Sequence, residues 1–127
     1  MKETMDYVKM RSMKKPDYFS VWEKREKEEK RRRNLAIKKA KSVAKTLKEK
    51  YQAEEIILFG SLIWRPDFLW RGTDIDLIVK GLQAERYFEI LADISEISHP
   101  FHADLIPFEK AWPPIKKRAL KEGLRLA

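Results

Sequence analysis

The residues best suited to chemistry are two aspartates in one apolar segment, Asp74-Ile75-Asp76, which follow the Gly60-Ser61 pair by thirteen positions. Residues i and i+2 of a strand point to the same face, so Asp74 and Asp76 are expected to project together. Neighbouring carboxylates repel each other unless a cation lies between them, and Mg²⁺ prefers oxygen ligands of this kind. A Gly-Ser turn can hold phosphate, so the two motifs together predict nucleotide chemistry.

A third carboxylate, Asp104, lies in the apolar segment 102–108. The alternation of this segment predicts a strand with Asp104 and Ile106 on one face and Leu105 on the other. Pro107 indicates that the strand lies at an edge of the sheet or ends early. A single aspartate of this kind is more often a turn or edge residue. Asp104 is a candidate site residue only because it follows Asp74 and Asp76 in the expected order along the chain.

Helices and strands must alternate along the chain to position these residues. Charged i,i+4 pairs and a later apolar stripe predict a long helix that is capped by Asp17 and extends to about Lys50. The predicted strands are 55–59, 74–80 and 102–108, and the later helices are 84–97 and 113–120. Residues 61–73 are expected to be irregular or a short helix. The fold class predicted is α+β, a small mixed β-sheet with helices packed on it and a long charged amino-terminal helix.

Positive charge is concentrated in the amino-terminal part. Residues 1–50 contain 18 Lys and Arg against 8 Asp and Glu, a net charge of +10, whereas residues 51–127 have a net charge of −2. We therefore predict a charged helical extension over residues 1–34 and one catalytic domain over residues 35–127. Nucleic acid is a weaker expectation as a partner, since acids interleave most of the basic run. The exposed aromatic group at residues 18–22 predicts contact with another copy of the chain.

Several classes of protein are excluded by composition. The chain has no cysteine, so it has neither a disulfide framework nor a zinc–thiolate site. No apolar run approaches the roughly 20 residues of a membrane span, and the amino terminus lacks a signal peptide's apolar core. These features predict a cytoplasmic protein that does not bind a membrane.

Taken in order, these motifs resemble the minimal nucleotidyltransferases of the DNA polymerase β-like superfamily. The resemblance rests on Gly60-Ser61, on Asp74-Ile75-Asp76 and on Asp104, and the closing segment 114–123 also looks like the family's tail. It covers roughly residues 35–125. It implies transfer of a nucleoside monophosphate from ATP or another nucleoside triphosphate to a hydroxyl group, with Mg²⁺ or Mn²⁺.

The resemblance also implies a role for each matching residue. Asp74 and Asp76 would bind the metal that accompanies the nucleotide, and Asp104 would help to bind a second metal and activate the acceptor hydroxyl. Gly60 would allow close approach of the backbone, and Ser61 would donate hydrogen bonds to the β- and γ-phosphates. These five residues form the candidate site.

The residues expected to bind the nucleotide depart from the family pattern. In the family, the segment after Gly-Ser is usually small or contains arginine together with glycine, whereas residues 62–66 here have the sequence Leu-Ile-Trp-Arg-Pro. Thr73 occupies the position before the first aspartate, where serine is frequent. Arg65 and Thr73 are the nucleotide-binding residues expected here, and Arg71 is an alternative contact for the triphosphate. An inactive nucleotide-binding homologue therefore remains the alternative to an active enzyme.

In the resembled family, small members often pair with a HEPN-type protein and modify a tyrosine on it as antitoxins. Other members modify small hydroxylated molecules, usually with an extra helical domain. The absence of room for such a domain favours a protein acceptor and predicts an antitoxin. The competing functions are a nucleic-acid-binding module and an oligomerisation module with a degenerate nucleotide site.

Histidines and tryptophans near the motifs have simpler interpretations. His99 and His102 lack a partner at helical spacing, so they are expected in a loop and at a strand start rather than as metal ligands. Trp64, Trp70 and Trp112 are expected to cover the core, and Trp64 or Trp70 is the best candidate for stacking a nucleobase.

Overall fold

In a computed structural model of the protein, the described residues are 2–65 and 74–127, with side chains described from residue 18 onward. The chain divides into two compact units, residues 1–31 and 32–127. The first unit consists of the helical residues of α1 (Lys2–Tyr51) that precede residue 32. The expectation that the helix begins with Asp17 as its cap is wrong. Pro16 lies inside α1, because the fixed φ of proline is compatible with helical backbone and costs the helix one hydrogen bond.

The second unit is built on a four-stranded mixed sheet, which confirms the predicted α+β class. Its strands are β1 (Glu55–Phe59), β2 (Ile75–Lys80), β3 (Ala103–Pro107) and β4 (Leu124–Arg125). Their order in the sheet is β3-β2-β1-β4, with β2 parallel to β3 and both β2 and β4 antiparallel to β1. The expected edge position of the strand that contains Pro107 is confirmed, since β3 lies at one side of the sheet.

Within residues 32–65 and 74–127, three further helices accompany the sheet: α2 (Ser61–Trp64), α3 (Tyr87–Ser98) and α4 (Pro113–Glu122). A 3₁₀ turn over Ala84–Arg86 precedes α3, and another over Phe108–Lys110 follows β3. Two prolines at the start of α4 fit its first turn, where the backbone N–H groups have no partner within the helix. The predicted later helices are therefore confirmed to within a few residues.

One face of the sheet carries the main core. The domain part of α1 buries an apolar stripe that includes Ala40, Val43 and Leu47, and this stripe packs with buried residues of the sheet and of α3. Leu47 is fully buried, so its replacement by alanine is expected to cost about 2–5 kcal/mol. The sheet residues of this layer are Ile56, Leu58, Ile75, Leu77, Val79, Ala103 and Leu105.

The opposite face carries a smaller core beneath α4. It contains Ile57, Phe59 and Ile78 from the strands, with Ala111 and Ala119 from the end of the chain. Side chains two residues apart in a strand share a face, so Asp76 lies on the same face as Ile78. The candidate carboxylates therefore belong to the face that α4 covers, away from α1.

A polar contact links the end of α1 to α3. The Tyr51 hydroxyl donates a hydrogen bond to the Asp93 carboxylate, and the Lys50 ammonium lies 2.6 Å from the same carboxylate. The hydrogen bond from Lys50, followed by that from Tyr51, holds the pKa of Asp93 below its ordinary range. This charged contact thus stabilises the folded domain at neutral pH.

Candidate active site

The turn after β1 brings backbone close to a carboxylate. Gly60 has φ 83° and ψ −160°, a conformation that L side chains rarely adopt. A Cβ atom at position 60 would lie 2.5 Å from Asp76 Oδ2, so a side chain there would displace that carboxylate. The Gly60 carbonyl accepts hydrogen bonds from the N–H groups of Ile63 and Trp64, at 3.1 and 2.8 Å, which start α2. The Gly-Ser turn and Asp76 are thus packed against each other.

Asp76 and Asp104 are direct neighbours in the sheet. They form a register pair between the parallel strands β2 and β3. Adjacent strands lie about 4.8 Å apart, so the two carboxylates emerge side by side on one face. Asp74 precedes β2, two residues before Asp76, and is half-buried. The alternation predicted from the sequence thus places all three acids at the same end of two neighbouring strands.

The electrostatics of this group are unfavourable for its ionised form. Burial first, and then the negative charges of Asp104 and Asp74, together raise the pKa of Asp76 from the ordinary 3.8 to about 6. The nearby His102 opposes this effect. An ionised Asp76 is therefore held in the fold at a cost that a bound cation would remove.

Asp104 is the most accessible member of the group. Its side chain is 51% exposed, and its Oδ1 atom lies 2.9 Å from His102 Nε2. The expectation that His102 is a strand-start residue is confirmed, because it immediately precedes β3. Its contact with Asp104 was not predicted, although the i,i+2 spacing that revealed the aspartate pair applies equally to these two residues.

The donor chemistry of the three carboxylates fits Mg²⁺ or Mn²⁺. All three supply hard oxygen ligands, and their mutual repulsion raises the pKa of Asp76. Among the residues of 18–65 and 74–127, however, no three acidic or histidine side chains converge closely enough to enclose an ion. In this arrangement the carboxylates of Asp74, Asp76 and Asp104 therefore do not enclose an ion.

The remaining predicted site residues occupy different positions. Ser61 is exposed as the first residue of α2, and Arg65 is exposed directly after that helix. Thr73, together with the alternative contact Arg71, lies outside the described residues. The structure therefore places Gly60 against the Asp76 carboxylate, and Ser61 follows it in the chain with an exposed side chain.

Trp64 has the core-covering position expected for it. Its ring lies 5.8 Å from the ring of Phe59, the Arg118 guanidinium lies 3.9 Å from it, and its indole N–H donates a 3.4 Å hydrogen bond to the Glu122 carbonyl. These contacts connect α2 to α4. The same expectation is wrong for Trp112, which is 66% exposed before α4, and Trp70 lies outside the described residues.

The family comparison agrees with this geometry. Residues 41–127, more than half of the chain, match the family described as Polymerase beta, Nucleotidyltransferase. The chain belongs to this family. Its second unit therefore carries a nucleotidyltransferase domain, as the motifs predicted. No curated protein matches the chain.

Among residues 2–65 and 74–127, no helix combines the length and the apolar character that crossing a membrane needs. This finding agrees with the absence of a long apolar run in the sequence.

Proposed function

We propose that this protein is a Mg²⁺-dependent nucleotidyltransferase that moves AMP from ATP to a hydroxyl group on a partner protein. The observation that carries the proposal is the register pair of Asp76 and Asp104 on parallel strands, with the Asp76 carboxylate against Gly60. Family membership supports the reaction class. The metal, the nucleotide and the acceptor are our inference.

The different solvent exposure of the carboxylates supports different roles for them in binding the nucleotide and the acceptor. Asp76 is half-buried beside the Gly-Ser turn, whereas the Asp104 side chain is 51% exposed. We assign Asp74 and Asp76 to the side of the nucleotide and Asp104 to the side of the acceptor. An exposed carboxylate can be reached by a hydroxyl on a large molecule, which favours a protein acceptor.

The reaction joins the acceptor oxygen to the α-phosphorus and releases pyrophosphate. Asp74 and Asp76 would hold Mg²⁺ with the nucleotide, and Asp104 would help to hold a second ion; this metal would neutralise charge on the α-phosphate and orient the incoming hydroxyl. Gly60 leaves room for the phosphates near the backbone, and the Ser61 hydroxyl donates a hydrogen bond to the β- or γ-phosphate. Asp104 accepts the proton of the acceptor hydroxyl, while His102 holds its Oδ1 atom.

The biological role that best fits a protein acceptor is that of an antitoxin. The minimal nucleotidyltransferases that the sequence resembles often modify a tyrosine of a HEPN-type partner. We therefore propose a HEPN-type toxin as the acceptor, with transfer of AMP as the neutralising modification.

Labelled ATP provides the test of this proposal. The protein, Mg²⁺ and a candidate HEPN-type partner are incubated with ATP that carries the label on its α-phosphate, and the partner is expected to become labelled. Asp76→Asn should abolish labelling, whereas the matched control Asp93→Asn, which removes an acid of the α1–α3 contact, should retain it. Nucleotide binding without transfer to any partner would identify a degenerate site instead.

Self-association through the amino-terminal unit is a second candidate property. Tyr18, Phe19, Val21 and Trp22 are 56%, 68%, 61% and 46% exposed in this unit. Such a concentration of exposed apolar surface favours a contact with another copy of the chain. Light scattering of Phe19→Ser/Trp22→Ser should then show a smaller species than the wild type, and an unchanged mass would exclude this contact.

A further inference from the structure

The charge composition of α1 changes at residue 34. Residues 18–33 contain seven Lys and Arg and four Glu, and a salt bridge of 3.6 Å between Arg25 and Glu29 forms there. Residues 34–50 contain six Lys and one acid, Glu49. The segment that belongs to the folded domain is thus poor in acids, unlike the mixed-charge segment before it.

Four lysines of this segment form one row, here named the lysine stripe: Lys38, Lys41, Lys45 and Lys48. Their spacings of three and four residues place them on one side of α1, and all four are exposed. With a rise of 1.5 Å per residue the stripe is about 15 Å long. The buried stripe of Ala40, Val43 and Leu47 lies on a different side of the helix, against the sheet.

The charges of the lysine stripe are not neutralised within the described parts of the chain. Among residues 18–65 and 74–127, the ammonium groups of Lys38, Lys41 and Lys45 form no salt bridge, whereas Lys48 donates a 3.2 Å hydrogen bond to the Glu54 carbonyl. Like charges three or four residues apart destabilise a helix by about 0.2–0.5 kcal/mol per pair. The stripe therefore weakens the helix slightly and contributes nothing to the core.

A shallow groove runs beside the stripe and has a volume of about 310 Å³. Three of the four lysines line it together with the acid Glu49, and Ala44, Leu126 and Ala127 complete the lining. The lining contains no aromatic side chain. Proteins that bind single-stranded nucleic acid usually stack bases on aromatic residues, so this surface suits a backbone rather than unpaired bases.

We propose that the lysine stripe binds the phosphate backbone of duplex nucleic acid without reading its sequence. Phosphates of one strand follow each other at about 3.4 Å along a duplex axis, so a 15 Å row of ammonium groups can follow several of them. The stripe lies on the α1 side of the sheet, whereas Asp76 and Asp104 lie on the α4 side. The surface therefore anchors the domain and does not present nucleic acid to the candidate active site.

Fluorescence anisotropy with a labelled 20-base-pair DNA duplex tests this proposal on the full-length protein. The variant Lys38→Gln/Lys41→Gln/Lys45→Gln removes three stripe charges, and the control Lys24→Gln/Lys27→Gln/Lys30→Gln removes three charges from the other unit of the same helix. Three phosphate contacts correspond to a salt slope of about −2.7, or a loss of about 40-fold in affinity between about 50 and 200 mM salt. The stripe variant should lose this part of the slope and bind at least about tenfold more weakly at low salt.

The control variant should bind within about threefold of the wild type. The stripe variant should also unfold at the same temperature as the wild type or higher, because it removes repulsion between lysines. Equal losses in the two variants would overturn the proposal, since total charge would then explain binding. Absence of wild-type binding at low salt, tighter binding to a single strand of the same length, or equal competition by polyglutamate at the same charge would overturn it as well.

Discussion

Replacement of Asp76 by asparagine should stabilise the protein in the absence of divalent metal. The pKa of Asp76 rises from 3.8 to about 6 in the fold, because the carboxyl is buried and faces Asp104 and Asp74. At 1.36 kcal/mol per pKa unit this difference corresponds to about 3 kcal/mol, and screening by solvent at a half-buried group reduces it to about 1–3 kcal/mol. Asparagine keeps the shape of the side chain and removes this penalty at neutral pH.

The sign of the pH dependence follows from proton linkage. Between about pH 4 and pH 6 the folded protein binds more protons at Asp76 than the unfolded chain does, so the Asp76 contribution to stability falls as pH rises through this window. Above it the full penalty is present. The stabilisation by Asp76→Asn should therefore be largest above about pH 7 and disappear below about pH 4.

Urea unfolding in EDTA, at about pH 7.5 and again at about pH 4, measures this difference. Asp93→Asn is the matched control and should have the opposite sign at neutral pH, because Lys50 and Tyr51 favour the ionised form of Asp93. Addition of Mg²⁺ should raise the stability of the wild type and leave Asp76→Asn unchanged. A destabilised Asp76→Asn at neutral pH, or an equal gain at both pH values, would refute the reasoning.

Three further predictions concern the turn and its support. Gly60→Ala should destabilise the fold by about 1–3 kcal/mol and abolish ATP binding, because a Cβ atom there collides with Asp76 and φ is positive. Calorimetry measures the binding of ATP. Unchanged binding would contradict the close packing of the turn against the carboxylate. Ser61→Ala should leave thermal stability unchanged, since Ser61 is exposed. It should weaken ATP binding by about 3- to 10-fold, which corresponds to the loss of one hydrogen bond. Equal ATP affinities of the variant and the wild type would remove Ser61 from the site. Arg118→Gln should lower the free energy of unfolding by about 0.5–1 kcal/mol through loss of its contact with Trp64 and of its 2.9 Å salt bridge with Glu122, and Arg118→Lys should restore part of it. Equal effects of the two variants would show that the cation contributes nothing.

The sequence was sufficient to predict most of the sheet because its strands are short apolar segments with clear ends. Gly60 ends β1, Gly81 follows β2, and Pro107 marks the edge strand β3. β4 was not predicted, since two residues, Leu124 and Arg125, give no periodic pattern. It forms only because the chain returns along β1 after Gly123.

Local sequence explains some parts of the candidate site and not others. The sequence predicts that Asp74 and Asp76 share a face, because the alternation of side chains along a strand depends only on neighbouring residues. The register that pairs Asp76 with Asp104 depends on how β2 and β3 align, which no short segment encodes. The contact between Trp64 and Arg118 joins residues 54 positions apart and could not be read from either segment.

The beginning of α1 shows where a local rule failed. Pro16 followed by Asp17 is a common helix start, and the rule placed the helix boundary there. The backbone instead stays helical through both residues. Proline in a helix interior removes one hydrogen bond and its ring clashes with the carbonyl four residues earlier, so the helix continues through Pro16 against a local cost of about 3 kcal/mol.

Anomalous diffraction from crystals grown with Mn²⁺ and a non-hydrolysable ATP analogue tests the shared cation site most directly. We expect Mn²⁺ within about 2.3 Å of carboxylate oxygens of Asp74 and Asp76, with Asp104 bound to this ion or to a second one beside it. Saturating Mn²⁺ that binds elsewhere, or carboxylates that stay apart with nucleotide bound, would contradict the proposal that these three acids form one catalytic metal site.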